Sequence, residues 1–216
     1  MANLKDEYFK ACTTVSDINL HLPVLYSYAK KCEHVTEMGS RTGVSTRAFL
    51  YAKPDTFVSY DYQYATPEPH LIKGVQALIS LFDECRKAGI NCTYVGKNVL
   101  EVEIEETDLL FIDTYHCYEQ LKKELELHAG RVRKYIAFHD TIQFGEVGED
   151  FPFMDPNHPV RKSPIDSSGG IRKAIDEFLL SHKEWKIVHE STDNNGLMVI
   201  RRKQQRKSRA GHAGAE

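Results

Sequence analysis

The stretch VTEMGSRTGVSTRAFL, Val35 to Leu50, decides how the rest of the chain is read. It reads as the end of a short strand, a glycine loop and the start of a helix. Glu37 falls at the carboxyl end of the strand. Gly39 and Gly43 bracket the turn, where a missing Cβ lets main chain approach a ligand. Ser45 and Thr46 are placed to cap the first helical turn, whose N–H groups lack intrahelical partners. Such a loop cradles an anionic or strongly polar group. The spacing excludes two common versions: it is neither the G-x-G-x-x-G of dinucleotide sites nor the G-x-x-x-x-G-K-[ST] of a P-loop. The ordinary alternative is a glycine-rich strand-to-helix turn with no ligand.

Working outward, Thr56 to Asp61 (TFVSYD) reads as a second strand ending in an acid. A carboxylate there can accept from both hydroxyls of a ribose, and Asp61 fits that role. After Pro67 and Pro69, His70 to Ala88 returns to helical period, with Leu71, Val75, Leu78, Ile79 and Phe82 on one face. Gly89 suits a helix C-cap, and Ile90 to Val95 a third strand. Asn98, in the turn that follows, lies where an adenine would be lined. Glu101 to Glu106 (EVEIEE) alternates acids with Val102 and Ile104, which reads as a solvated face rather than a metal cluster. Asp108 to Asp113 (DLLFID) is nearly all apolar, as expected of a central parallel strand buried on both faces. A helix to about Ala129 follows, then a fifth strand, Arg133 to Phe138, ending in His139-Asp140-Thr141.

The N-terminal 32 residues read as helical, with Leu20, Leu22, Leu25, Tyr26 and Tyr28 apolar and Pro23 suited to a first helical position. Residues 143–168 hold four prolines and little periodicity, and are read as a lid over the carboxyl edge of the sheet. Ser167 or Ser168 caps a helix from Ile171 to Ser181. Trp185 to His189 and Leu197 to Ile200 form a hairpin around Asn194-Asn195-Gly196. Residues 203–216 are basic and aperiodic, a solvated tail; a nucleic-acid contact would rest on that tail alone.

The chain has 216 residues, a net charge of −3 and 41% hydrophobic residues, enough for one α/β domain and without a global pull towards nucleic acid. No apolar run approaches a membrane span and MANLKDEYFK lacks a signal-peptide core, so a cytoplasmic location is expected. The five cysteines are odd in number and lack C-x-x-C spacing, which points to buried free thiols.

The acid-glycine-glycine pattern of Glu37, Gly39 and Gly43 resembles the first motif of class I S-adenosylmethionine-dependent methyltransferases, with Arg41 where a further glycine is frequent. Ile112, Asp113, His116, Tyr118 and Glu119, followed by His139, Asp140 and Thr141, resemble one branch of them, the macrocin O-methyltransferase and cephalosporin-hydroxylase-like proteins, or methyltransferase family 24 type. Gly169-Gly170-Ile171 with Ala174, Ile175 and Phe178, and Asn195-Gly196-Leu197, extend the resemblance over roughly residues 17–201. Thr114 stands where that branch has glycine.

The resemblance implies a Rossmann-like fold: a mostly parallel seven-stranded sheet with one reversed strand in the C-terminal hairpin. It divides the chain into a helical segment (1–32) that covers the cofactor, a methyltransferase domain (33–202) and the tail (203–216). It implies S-adenosylmethionine held by Glu37, Gly39, Ser40, Arg41, Gly43, Ser45, Asp61, Asn98 and Asp113. Asp113 and Asp140 end neighbouring strands beside His139, and two carboxylates with an imidazole suit magnesium or manganese. His116, Asp113 and His139 are the catalytic candidates, His116 as base because its unperturbed pKa lies near neutrality. The ordinary alternative for His116 is a loop histidine bonded to main chain. The expected activity is metal-assisted O-methylation of a small hydroxylated molecule, a sugar or another metabolite; a non-catalytic cofactor-binding module or partner subunit is the competing reading. A homo-oligomer is compatible with either.

Overall fold

The computed structural model describes residues 4–62, 69–87, 89–149 and 169–203. Its centre is one seven-stranded sheet in the order β3-β2-β1-β4-β5-β7-β6. The strands are β1 (His34–Met38), β2 (Thr56–Tyr60), β3 (Asn91–Val95), β4 (Thr107–Ile112), β5 (Val132–His139), β6 (Trp185–Ser191) and β7 (Leu197–Arg202). The first five run parallel, and β7 is antiparallel to both β5 and β6. This is the expected sheet, reversed strand included.

Among the described residues, six α-helices cover it: α1 (Leu4–Thr13), α2 (Leu22–Ala29), α3 (Val44–Ala52), α4 (Pro69–Lys87), α5 (Tyr118–His128) and α6 (Ile171–Ser181). The sides chosen by β4 show why its sequence is so apolar. Leu109 and Phe111 join Phe49, Phe57 and Phe82 on the face covered by α1 to α4. Leu110 and Ile112 join Ile136, Phe138, Met198 and Ile175 on the other, beneath α5 and α6. All six residues of β4 are buried, so alternation gives way to a continuous run.

Several local expectations change. The N-terminal segment is not one helix: a bend at residues 14–18 and a single 3-10 turn, Asn19–His21, separate α1 from α2. On α4, Leu78, Leu81, Phe82 and Cys85 are buried and Ile79 is exposed. Those four follow the i, i+3, i+4, i+7 stripe, and Ile79 sits about 100° away from it; the side chains of Leu71 and Val75 lie outside the described residues. The acids of residues 101–106 are exposed while Ile104 is buried, as the alternation predicts. All five cysteines are free, four of them buried. The α6 N-cap is Gly170; Ser167 and Ser168, most of the expected lid (150–168) and the tail (204–216) lie outside the described residues. No helix among the described residues is long and apolar enough to cross a membrane.

Strand register positions the site. Met38 pairs with Tyr60 and Ile112, Ile112 with Phe138, and His139 with Leu197. The residues that follow, Gly39, Asp61, Asp113 and Asp140, therefore emerge along one edge. The chain order reverses between β1 and β4, the crevice where open α/β sheets bind ligands.

Candidate active site

The glycine loop is built against its own chain. Gly39 has φ 86° and Gly43 φ 75°. A Cβ on Gly39 would lie 1.9 Å from the main-chain oxygen of Asp113. The Gly39 N–H donates to the Tyr60 carbonyl at 2.8 Å, and the Asp113 N–H to the Met38 carbonyl at 2.9 Å. At Gly43 the missing Cβ makes room for the Leu78 side chain of α4. The glycines thus serve the close approach of β4 and α4 to the loop.

Glu37 lies under this loop, with no exposed surface. Its Oε1 accepts from Ser45 Oγ at 2.6 Å, and its Oε2 from Thr46 Oγ1 at 2.7 Å and Ser59 Oγ at 2.8 Å. The expected capping by Ser45 and Thr46 is therefore replaced. The α3 N-cap is Gly43, without a side-chain bond, and both hydroxyls turn inward to a carboxyl that would otherwise be stranded. Burial pushes the Glu37 pKa up to about 7 despite these donors.

Asp61 follows β2 and faces the loop. Its Oδ2 accepts from Ser40 Oγ at 3.1 Å and from the Arg41 N–H. Burial raises its pKa, against the pull of these bonds. Arg41 has φ 46°, and its guanidinium reaches Asp17 Oδ2 at 3.3 Å. Asn98 caps a 3-10 turn, accepting from the Leu100 N–H at 3.0 Å, so its carbonyl oxygen already has a local partner.

Along the edge, Asp113, His116, His139, Asp140 and Glu149 form one cluster. His116 Nε2 lies 3.1 Å from Asp113 Oδ1 and 2.9 Å from Asp140 Oδ2, and its Nδ1 lies 3.1 Å from Glu149 Oε2. Phe144 stacks on the imidazole at 5.0 Å between ring centres. His139 Nδ1 is 3.2 Å from Asp113 Oδ1, and its Nε2 is 3.1 Å from the Asp17 carbonyl. A carbonyl only accepts, so Nε2 carries hydrogen.

The electrostatics follow from these pairings. Burial disfavours charge on His116, but hydrogen bonds to Asp113, Asp140 and Glu149 outweigh it and raise its pKa well above the usual value. Burial likewise opposes the charge on His139, and Asp113 and Asp140 lift its pKa to about 10. Asp113 and Asp140 are held low by the two rings, against the opposing effect of burial. The His116 ring is thus held by three carboxylates and not by main chain.

One acceptor in this cluster is unspent. Asp140 Oδ1 is buried with no hydrogen-bond partner. Asp140 is itself a non-glycine residue at φ 59°, a strained conformation of a kind that collects at functional sites. Asp113, His139 and Asp140 each offer one ligand atom, all within 4.8 Å of one another. Two carboxylate oxygens and one imidazole nitrogen make a donor set that fits a divalent cation.

Neighbouring residues hold the cluster in place. Asn194, at φ 44° in the β6–β7 turn, accepts from the Leu20 N–H at 2.8 Å and donates to the Ser16 carbonyl at 3.1 Å. It pins the 14–21 segment, and with it the Asp17 carbonyl. His21 lies edge-on to His139 at 5.6 Å; burial, then the charge on His139, lowers its pKa to about 4. Thr114 donates at 2.6 Å to Glu124, a fully buried carboxyl of α5 that also accepts from Gln120. Burial lifts the Glu124 pKa to about 7.

No family model matches the sequence, and no curated relative matches it. Solved structures do. An O-methyltransferase from Bacillus cereus in complex with S-adenosylhomocysteine superposes with a TM-score of 0.58 at 14% identity, over 94% of this chain and 92% of that one. An O-methyltransferase from Streptomyces achromogenes, involved in tomaymycin synthesis and bound to S-adenosylmethionine, gives 0.56 at 14% identity, over 92% and 90%. An S-adenosylhomocysteine-bound methyltransferase from Podospora anserina gives 0.54 at 16% identity, over 94% and 89%. The fold is that of the class I methyltransferases.

Within that methyltransferase fold, the structure brings Asp113, His116, His139 and Asp140 together, and Glu37, Gly39, Ser40, Arg41, Gly43, Ser45 and Asp61 around one loop. Asn98 lies in the turn beyond β3, capping the 3-10 turn there. Sequence reasoning missed Glu149, Asp17, His21 and Glu124. For Glu149 the available signal was an acid in a proline-rich segment; for Asp17, whose main-chain oxygen makes the contact, there was none.

Proposed function

We propose that the protein is an S-adenosylmethionine-dependent methyltransferase that methylates a hydroxyl of a small molecule with help from a divalent cation, of the branch resembling macrocin O-methyltransferase. The observation that carries this reading is the convergence of the Asp113, His139 and Asp140 donors next to the Gly39 loop, with Asp61 one strand further along. Asp61 keeps Oδ1 for the ribose hydroxyls while Oδ2 braces the loop. Gly39, Ser40 and Arg41 border the amino-acid end of the cofactor, and Asp113 stands where the cofactor and acceptor meet.

Methyl transfer is an in-line displacement at an activated sulfonium carbon, so the protein chiefly aligns the reactants and keeps water out. Asp113, His139 and Asp140 would hold magnesium or manganese, which when bound lowers the pKa of the acceptor hydroxyl; the imidazole donor favours manganese. Glu149 fixes His116 through Nδ1 and leaves Nε2 aimed between the two aspartates. While both carboxylates accept from it, His116 Nε2 keeps its proton. When that proton has been released to solvent, Nε2 is the atom placed to receive the acceptor's proton. His139 cannot share this task through Nε2, which the Asp17 carbonyl occupies.

A second reading, a cofactor-binding partner subunit without catalysis, is supported by Arg41 and Thr114 standing where glycines are usual, and by the commitment of the Thr114 hydroxyl to Glu124. Calorimetric titration with S-adenosylmethionine, S-adenosylhomocysteine and NAD, each with and without magnesium or manganese, tests the proposal. Micromolar binding of the adenosyl ligands and not of NAD is expected. Silence from both adenosyl ligands with folded protein would overturn it. Binding without turnover across an acceptor screen containing metal would favour the second reading.

A further inference from the structure

We propose that Arg41 is the docking point for the α-carboxylate of S-adenosylmethionine, and that the Asp17 side chain fills that point until the cofactor arrives. This deepens the cofactor reading above and rests on it.

Arg41 sits between the two loop glycines with its backbone at φ 46°. For a residue with a Cβ this costs about 1–2 kcal/mol, yet the side chain adds nothing to the core: it is 74% exposed. Its main-chain N–H is already on Asp61. One residue thus braces the carboxylate assigned to ribose and extends a guanidinium over the same loop. A carboxylate and a guanidinium on one loop suit a ligand that carries both a diol and a carboxylate.

The present partner of the guanidinium has the chemistry of the expected ligand. Asp17 meets it through a single pair, Nη1 to Oδ2 at 3.3 Å, with its own side chain 45% exposed. An exposed single-point pair is worth about 0–1 kcal/mol, whereas guanidinium prefers a two-point grip on carboxylate. Displacement is therefore cheap. It also leaves the chain path intact, because the Asp17 main chain is held separately by His139 Nε2. The other guanidinium of this segment, Arg47, is already engaged through Nε by Glu7 and through Nη1 by the Thr42 and Gly43 carbonyls.

The test is a titration of wild type, Arg41→Gln, Arg41→Lys and Asp17→Asn with S-adenosylmethionine and with decarboxylated S-adenosylmethionine, which keeps the adenosine, sulfonium and amine. Arg41→Gln is expected to weaken S-adenosylmethionine by about ten- to hundredfold and the decarboxylated ligand less than about twofold, with partial recovery in Arg41→Lys. Asp17→Asn is expected to tighten S-adenosylmethionine alone. Equal losses for both ligands in Arg41→Gln, or no loss, would overturn the role of Arg41. Unchanged affinity in Asp17→Asn would overturn the displacement, and this variant carries the test if Arg41→Gln does not fold. Failure of wild type to bind either ligand would instead remove the cofactor reading itself.

Discussion

The α-carbon of Gly39 faces the main-chain oxygen of Asp113 so closely that a Cβ would stand 1.9 Å from it. Two loops of the site, one after β1 and one after β4, are therefore in direct main-chain contact. Gly39→Ala combines that clash with a φ of 86° that alanine resists. A loss of about 3 kcal/mol or more is expected, read as a fall in the urea midpoint, with cofactor binding lost in whatever remains folded. A midpoint within about 1 kcal/mol of wild type would show that the loops separate easily.

The buried carboxyls make stability depend on pH in an unusual direction. Glu37 and Glu124 have pKa values of about 7 in the folded chain against an ordinary 4.5. Between those values the folded state binds more protons than the unfolded state, so stability is greatest below 4.5 on their account and declines as pH rises through 7. Each contributes up to about 3 kcal/mol to that decline. His21, lowered to about 4, acts oppositely: its contribution is present above 6.5 and is lost as pH falls towards 4. Chemical denaturation from pH 5 to 8 should show wild type weakening with rising pH and Glu124→Gln with a flatter profile. Parallel profiles would remove Glu124 as a source.

Asp61→Asn tests the ribose assignment and the loop brace together. The carboxamide retains one acceptor for Ser40 and the Arg41 N–H, so the thermal midpoint should fall by only a few degrees, about 1 kcal/mol. S-adenosylhomocysteine affinity should fall about tenfold or more. Unchanged affinity would show that the ribose does not reach Asp61.

Manganese reports the metal assignment without an acceptor. Its electron paramagnetic signal should be quenched by wild-type protein and restored by chelator, and Asp140→Ala should bind at least about tenfold more weakly. S-adenosylhomocysteine affinity measured without metal should be nearly unaffected in that variant. Equal manganese binding by Asp140→Ala would place the cation elsewhere.

What was legible in the sequence was whatever rests on period and local turn chemistry. The unbroken apolar run of β4 gave away a strand covered on both faces, and Asn194-Asn195-Gly196 gave away the hairpin. The acids at strand ends could be placed on one edge because parallel strands share a direction. Contacts decided across the fold were not legible. Ser45 and Thr46 looked like caps because capping is local, whereas their partner Glu37 becomes available only when β1 and α3 pack. His116 was legible as a candidate base, but not that Glu149, 33 positions away, closes on its second nitrogen. Asp17 acts through a main-chain oxygen, which every residue possesses.

The Asn194 side chain has a consequence for the order of assembly. It bonds to Leu20 across 174 positions of chain, and through that segment braces the Asp17 carbonyl against His139. During synthesis, β1 to β5 emerge and can pair before this turn exists. Until the turn leaves the ribosome the Asp17 carbonyl lacks its brace, so the nascent chain acquires its scaffold first and a fully ordered His139 only after the β6–β7 turn has emerged.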